Sequence, residues 1–248
     1  MKITILGSGT ILSPVKRNPA GYLLEFGDSL LLLEIGPGIL RRLKHLNVDL
    51  TRISTIAISH FHPDHCSDLL PFLLNRYLLD SASNERLHIL GPENLNAWFE
   101  AQLAFQGAWL NEHIPRLHPW QNAMWHVDDW EITAQPNGHT QHSLSFLIRP
   151  ASQSDALFYS GDTGYNPALL PLAQKASWGV LECSLPDHLK QETHLTPQEC
   201  GQFATLAGWQ RVVLTHIYPE NDTPDLAERT ARHFRGKIIV ARDFLHLP

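Results

Sequence analysis

No stretch of the 248 residues approaches the roughly 18 consecutive apolar side chains needed to cross a bilayer, and the opening Met1–Leu6 run passes at once into Gly7 and Ser8. No membrane span, signal peptide or membrane partner is therefore expected. Cysteine is scarce. Cys66, Cys183 and Cys200 are an odd number at wide spacing, which excludes a disulfide framework and a cysteine-type zinc site and makes a reducing cytoplasm the expected location. Basic charge is short as well. With 19 Lys and Arg against 25 Asp and Glu the net charge is −6, so the broad basic surface that sequence-independent nucleic-acid binding requires is missing. Neither a low-complexity linker nor a fixed-period repeat divides the chain, and residues 1–248 read as one domain.

What is present suits a packed core, since 43 % of the residues are hydrophobic. Short apolar, β-branched runs predict strands at Ile3–Leu6, Gly21–Phe26, Leu30–Ile35, Ser54–Ser59 and Leu87–Leu90, with helices over Pro37–Leu46 and Cys66–Leu79. The second half repeats the scheme, with strands near Trp130–Ala134, Ser143–Ile148, Leu157–Ser160, Trp178–Leu181, Val212–Leu214 and Ile238–Val240. Thr196-Pro197-Gln198-Glu199 carries an N-cap, a proline in the first turn and a glutamate three residues after the cap. Thr223-Pro224 and Gly236 bracket a last helix in the same way. Two such halves predict an α/β fold of two sheets packed face to face with helices outside. Residues 98–130 hold Trp98, Phe99, Phe105, Trp109, Trp120, Trp125 and Trp130. Core packing is one reading of that segment, and a homodimer face or substrate-pocket wall is the other.

Histidine is plentiful, with 15 in the chain, and it gathers near strand ends. His60-Phe61-His62-Pro63-Asp64-His65 closes an apolar strand and opens a helix, so four imidazole or carboxylate ligands share one loop, a donor set that suits zinc. Alternate residues at a strand end point the same way, which lets His60 and His62 hold one metal while Asp64 and His65 reach a second. As purely structural residues they would each need a buried partner. His139, Asp162 and His216 each follow a strand. Taken singly, a loop histidine, a turn aspartate and a buried hydrogen-bonded histidine are the readings for these three.

Together these residues resemble the metallo-β-lactamase superfamily over nearly the whole chain, through its H-x-H-x-D-H motif and the order of the later ligands. The resemblance implies a four-layer αββα sandwich. It implies that His60, His62 and His139 bind one metal, that Asp64, His65 and His216 bind the other, and that Asp162 bridges them. The ions would be two divalent metals, zinc first, with manganese or iron(II) as alternatives. Within the superfamily the chain is similar to the branch of ribonuclease Z and the phosphoribosyl cyclic phosphodiesterases. The similarity rests on Leu6-Gly7-Ser8-Gly9-Thr10, Arg17-Asn18, Ser160-Gly161-Asp162-Thr163-Gly164, His194-Leu195-Thr196 and Leu214-Thr215-His216. By that likeness Asp64 and His194 are the catalytic residues, His194 as proton donor. Two departures bear on substrate. His139 and Asp162 are 23 residues apart, which leaves no room for ribonuclease Z's tRNA-binding arm, and Glu34-Ile35-Gly36-Pro37-Gly38 replaces that enzyme's acidic segment.

The expected activity is hydrolysis of a small or medium phosphodiester, since two metals about 3.5–4 Å apart can share a hydroxide and polarise a phosphoryl oxygen. Arg17 and Arg76 are candidate phosphate contacts, with structural or solvated roles as their other reading. His142 has no assignment. The competing activities are tRNA 3′ processing, with a nucleic-acid partner, and hydrolysis of a carboxylic ester, thioester or lactam. A di-iron redox protein of the same fold would carry Glu in place of His62, and a non-catalytic binding module would not need so complete a ligand set.

Overall fold

The computed structural model describes residues 1–104, 106, 108–122 and 124–248. Phe105, one of the aromatics noted above, lies outside the described residues. The first sheet contains β1 (Lys2–Gly7), β2 (Gly21–Phe26), β3 (Ser29–Leu33), β4 (Ile53–Ala57), β5 (His88–Gly91) and β6 (Arg116–Pro119). The second contains β7 (Trp125–Val127), β8 (Trp130–Pro136), β9 (Leu144–Pro150), β10 (Leu157–Tyr159), β11 (Trp178–Glu182), β12 (Arg211–Thr215) and β13 (Lys237–Val240). β14 (His246–Leu247) returns to the first sheet beside β1. Among the described residues the orders are β14-β1-β2-β3-β4-β5-β6 and β13-β12-β11-β10-β9-β8-β7.

The two sheets share a plan. β1, β2 and β3 are antiparallel, and β3 through β6 run parallel; β7 through β10 are antiparallel, and β10 through β13 run parallel. Alternation along each strand then sorts the core into three interfaces. Leu31 and Leu33 of β3 meet Phe146, Ile148, Val180 and Val213 between the sheets. Leu30 and Leu32 face outward with Ile39, Leu69, Phe72 and Phe99, from the helices Ile39–His45, Leu69–Leu79 and Leu95–Leu103. Leu147, Leu181, Val212 and Leu214 face outward on the other side, against Leu172, Phe203 and Leu226. Helices therefore cover both outer faces, as the αββα sandwich requires.

The capping box at Thr196 forms as expected. Its hydroxyl accepts from the Glu199 amide, and the Glu199 carboxylate accepts from the Thr196 amide, an arrangement worth about 1 kcal/mol. The last helix differs from expectation. It spans Leu226–Ala231 with Asp225 at its cap, because Thr223 donates its hydroxyl to the Asp225 carboxylate instead of capping the helix itself. β6 and β7 also arise within the aromatic segment, where these short edge strands lack the alternating pattern that marks longer ones. Trp130 is fully buried between the sheets with Trp120 and Trp125 packed beside it, while Trp98 and Trp109 lie against the outer cluster. Those contacts agree with the core-packing reading. Among the described residues no helix is long and apolar enough to cross a membrane.

Candidate metal centre

The chemistry collects where strands end. β4 leads into Ser59-His60-Phe61-His62, and Pro63 opens the short helix Pro63–Cys66 that carries Asp64 and His65. The helix sits close under the end of β3, where Ile35 donates its amide to the His65 carbonyl at 2.8 Å. A side chain at Gly36 would lie 2.0 Å from the Asp64 carbonyl, so glycine is what lets the two backbones meet. Asp162 follows β10 through Gly161, whose φ of 57° turns the chain and whose absent Cβ would lie 2.7 Å from the Leu144 carbonyl. His139 follows β8, and His216 follows β12 with φ of 53°. A left-handed histidine is uncommon, and here it directs the ring back toward Asp162.

Side-chain atoms able to hold a metal fall into overlapping clusters, in each of which they lie within 4.8 Å of one another. One comprises His60, His62, His139 and Asp162, another Asp64, His65 and His216, and a third Asp162, His194 and His216. Asp162 stands between the first two. Its Oδ2 is 3.9 Å from His60 Nε2, 3.8 Å from His139 Nε2 and 3.3 Å from His216 Nε2, and its Oδ1 is 3.4 Å from His65 Nε2. His216 Nε2 also lies 3.4 Å from Asp64 Oδ2. The structure thus brings together all seven residues expected as ligands and sets His194 beside them.

Four atoms facing this space, His60 Nε2, His65 Nε2, His216 Nε2 and Asp162 Oδ1, are buried and lack a hydrogen-bond partner. Leaving such groups unsatisfied costs about 1–3 kcal/mol each, so their convergence fits a cation that all of them could bind. On His60, His139 and His216 the opposite ring nitrogen is engaged. His139 Nδ1 donates to the Thr193 carbonyl at 3.0 Å, which requires the proton on Nδ1 and leaves Nε2 unprotonated, 3.3 Å from His62 Nδ1 and available to a metal. His60 Nδ1 meets Ser59 Oγ at 2.9 Å, and His216 Nδ1 donates to Ser184 Oγ at 3.0 Å while that hydroxyl donates to Glu182 at 2.6 Å.

Electrostatics divide the cluster. Burial holds His60 well below the usual histidine range and lowers His62 as well. Burial acts the same way on His65, but the carboxylates of Asp162 and Glu34 outweigh it and keep His65 well above that range. Burial disfavours ionised Asp162, yet His216 and His65 hold its carboxyl well below the usual value. For Asp64, burial is likewise overcome by His216, whose Nε2 lies 3.4 Å from its carboxylate, and its pKa is lowered. His194, which burial would lower, is raised to about 9 by its 2.8 Å hydrogen bond to Glu182. Burial, then Asp162 and Asp64, push the Tyr218 phenol up to about 12.

Other expectations resolve away from the centre. Arg17 is buried on Ser8, the Ala241 carbonyl and Asp222, and Arg76 on the carbonyls of Leu50, Ile53 and Ser83, so both arginines have structural roles. His142 pairs with Glu93 at 2.8 Å. Sequence reasoning missed Glu34, Glu182 and Tyr218. A carboxylate ending an apolar strand, as Glu182 does in Trp178–Glu182, was the available signal for the second of these.

The fold and these clusters define a metal-dependent hydrolase of the metallo-β-lactamase fold, on the ribonuclease Z branch. More narrowly, the chain belongs to the family described as "Anti-Pycsar protein Apyc1", whose model matches residues 1–237. It is 24 % identical to the probable metallo-hydrolase YhfI of Bacillus subtilis, over 98 % of this chain and 97 % of YhfI. The YhfI crystal structure superposes with a TM-score of 0.86 at 20 % identity, covering 99 % of this chain and 98 % of that one. Ribonuclease Z of Mycobacterium marinum is 25 % identical over 98 % of this chain and 96 % of its own length. The short form of human tRNase Z superposes with a TM-score of 0.79 at 20 % identity, over 100 % of this chain and 99 % of its own.

Proposed function

We propose that the chain is a phosphodiesterase acting on a small or medium phosphodiester with two divalent ions, zinc in the first instance. His60, His62 and His139 would hold one ion, Asp64, His65 and His216 the other, and Asp162 would bridge. The observation that carries this reading is the position of Asp162, whose two oxygens lie 3.3–3.9 Å from imidazoles of both groups. Such a pair of ions supplies a Lewis acid for a phosphoryl oxygen and a water-derived nucleophile at neutral pH.

The protein's own part is to orient and to protonate. Glu182 accepts from His194 Nδ1, which directs the opposite nitrogen of that ring toward the space beside Asp162 and His216. From there His194 donates a proton to the departing alkoxide. A compact substrate is supported by β9 and β10, which fill the interval between His139 and Asp162 where a tRNA-binding arm would otherwise stand.

Purified protein of known metal content, assayed against a phosphodiester, a phosphomonoester, a thioester, a lactam and a precursor tRNA, tests the reading. The diester is expected to turn over fastest and the precursor tRNA poorly. Preferred turnover of the thioester or lactam, or efficient site-specific trimming of the tRNA 3′ end, would overturn it.

A further inference from the structure

A diester substrate brings two non-bridging oxygens whose charge grows as the bond to the leaving group stretches, and donors already aimed at them contribute to catalysis. The two arginines that might have supplied such donors, Arg17 and Arg76, are committed to the framework. His194 has one ring nitrogen engaged by Glu182 and the other assigned above to the leaving group. One further donor stands at the centre. Tyr218 is half-buried, with its ring centroid 5.8 Å from that of His194 and 5.9 Å from that of His216, edge-on to both. Burial, then the Asp162 and Asp64 carboxylates, are what act most on its phenol.

Its backbone is fixed from several sides. Tyr218 donates its amide to the Ser184 carbonyl at 3.2 Å, and Ile217 donates to Ser8 at 3.1 Å. Gly9 forms a bridge to Ile217, and Pro219 restricts Tyr218 to an extended conformation, φ −70° and ψ 156°. A backbone held this firmly leaves only the side-chain torsions to be fixed when the phenol binds a ligand.

We infer that Tyr218 contacts the substrate, its O–H donating to a non-bridging phosphoryl oxygen. The inference rests on the phosphodiesterase reading for its substrate, and binding of inorganic phosphate tests it independently of turnover. Tyr218→Phe removes the hydroxyl and keeps the ring. In metal-loaded protein the variant should retain its ions and melting midpoint. Its calorimetric Kd for inorganic phosphate should rise about 10- to 100-fold, the scale of a hydrogen bond to a charged group. kcat/KM for bis(4-nitrophenyl) phosphate should fall by a comparable factor. An unchanged phosphate Kd overturns the inference. So does loss of an ion from the variant, which would make the hydroxyl part of the metal site. Wild-type protein that binds phosphate through Tyr218 but hydrolyses no diester would refute the phosphodiesterase reading and leave the contact standing. Failure of wild-type protein to bind phosphate refutes the contact.

Discussion

Glu34 and Glu182 occupy matching places in the two halves. Each is a buried carboxylate at the end of a strand, β3 or β11, whose parallel neighbour, β4 or β12, leads into the candidate ligands. Their work differs. Glu34 serves chiefly one contiguous loop, accepting the Ser59 amide at 3.2 Å and lying 3.5 Å from His65 Nδ1, with the Tyr159 phenol beside it. Glu182 gathers three separate segments, accepting from the amides of Thr163, Ser184 and Leu195, from the Ser184 hydroxyl and from His194. A motif compact in sequence needs only a support beneath it, whereas ligands scattered along the chain need a hub. The difference also separates roles. The Glu34 side is fully buried and reaches the metal space only through His65, while the Glu182 side carries a histidine with a second ring nitrogen for chemistry.

The strongest test strikes where the halves meet. Asp162→Ala should lose at least one of two ions and reduce diester turnover by roughly 10³-fold or more, because both clusters share that carboxylate. Unchanged two-ion stoichiometry by metal analysis would remove the bridging role. Next in size, His194→Ala isolates the reactive side of the comparison. It should keep both ions yet slow an alkyl diester roughly 10²-fold or more, with a smaller loss on an activated aryl diester that needs no proton donor. Equal losses on both substrates would point to substrate positioning instead.

The smallest effect belongs to the supporting side. Glu34→Gln should weaken metal binding by about 10-fold, read by competition with a chelator, since the carboxylate beside His65 Nδ1 that orients the ring is lost. Glu182→Gln should show its larger effect on turnover of the alkyl diester, through His194. If Glu182→Gln weakened the metals and Glu34→Gln did not, the division between the halves would be the reverse of the one drawn here.

Much of this was legible in the chain. The short apolar runs placed β2, β3 and β9 to within a few residues, the H-x-H-x-D-H loop announced itself, and Thr196-Pro197 marked a helix start that the structure reproduces. Periodicity and capping are local, so sequence carries them. Glu34 was noticed only as a departure from a relative's acidic segment, and Tyr218 not at all, because a carboxylate or phenol near the end of a strand has no local signature of what it will face. Arg17 and Arg76 resolve to the structural of their two readings. Neither is free for a phosphate, because Arg17 is bound by Ser8, the Ala241 carbonyl and Asp222, and Arg76 by the carbonyls of Leu50, Ile53 and Ser83, partners contributed from distant segments.

The sequence by itself determined the layered α/β fold, the residue types at the centre and the nearness of His60, His62, Asp64 and His65, since six residues of one loop cannot separate far. Only the tertiary structure decided that His139, Asp162, His194 and His216 join them, which requires β8, β10 and β12 to end at the same edge of the sandwich and Glu182 to tie their loops. It also decided which ring nitrogens are free. A tautomer is set by the hydrogen bond on the far side of the ring, and for His139, His194 and His216 that partner is Thr193, Glu182 or Ser184, contacts made through packing that adjacency in sequence does not reveal.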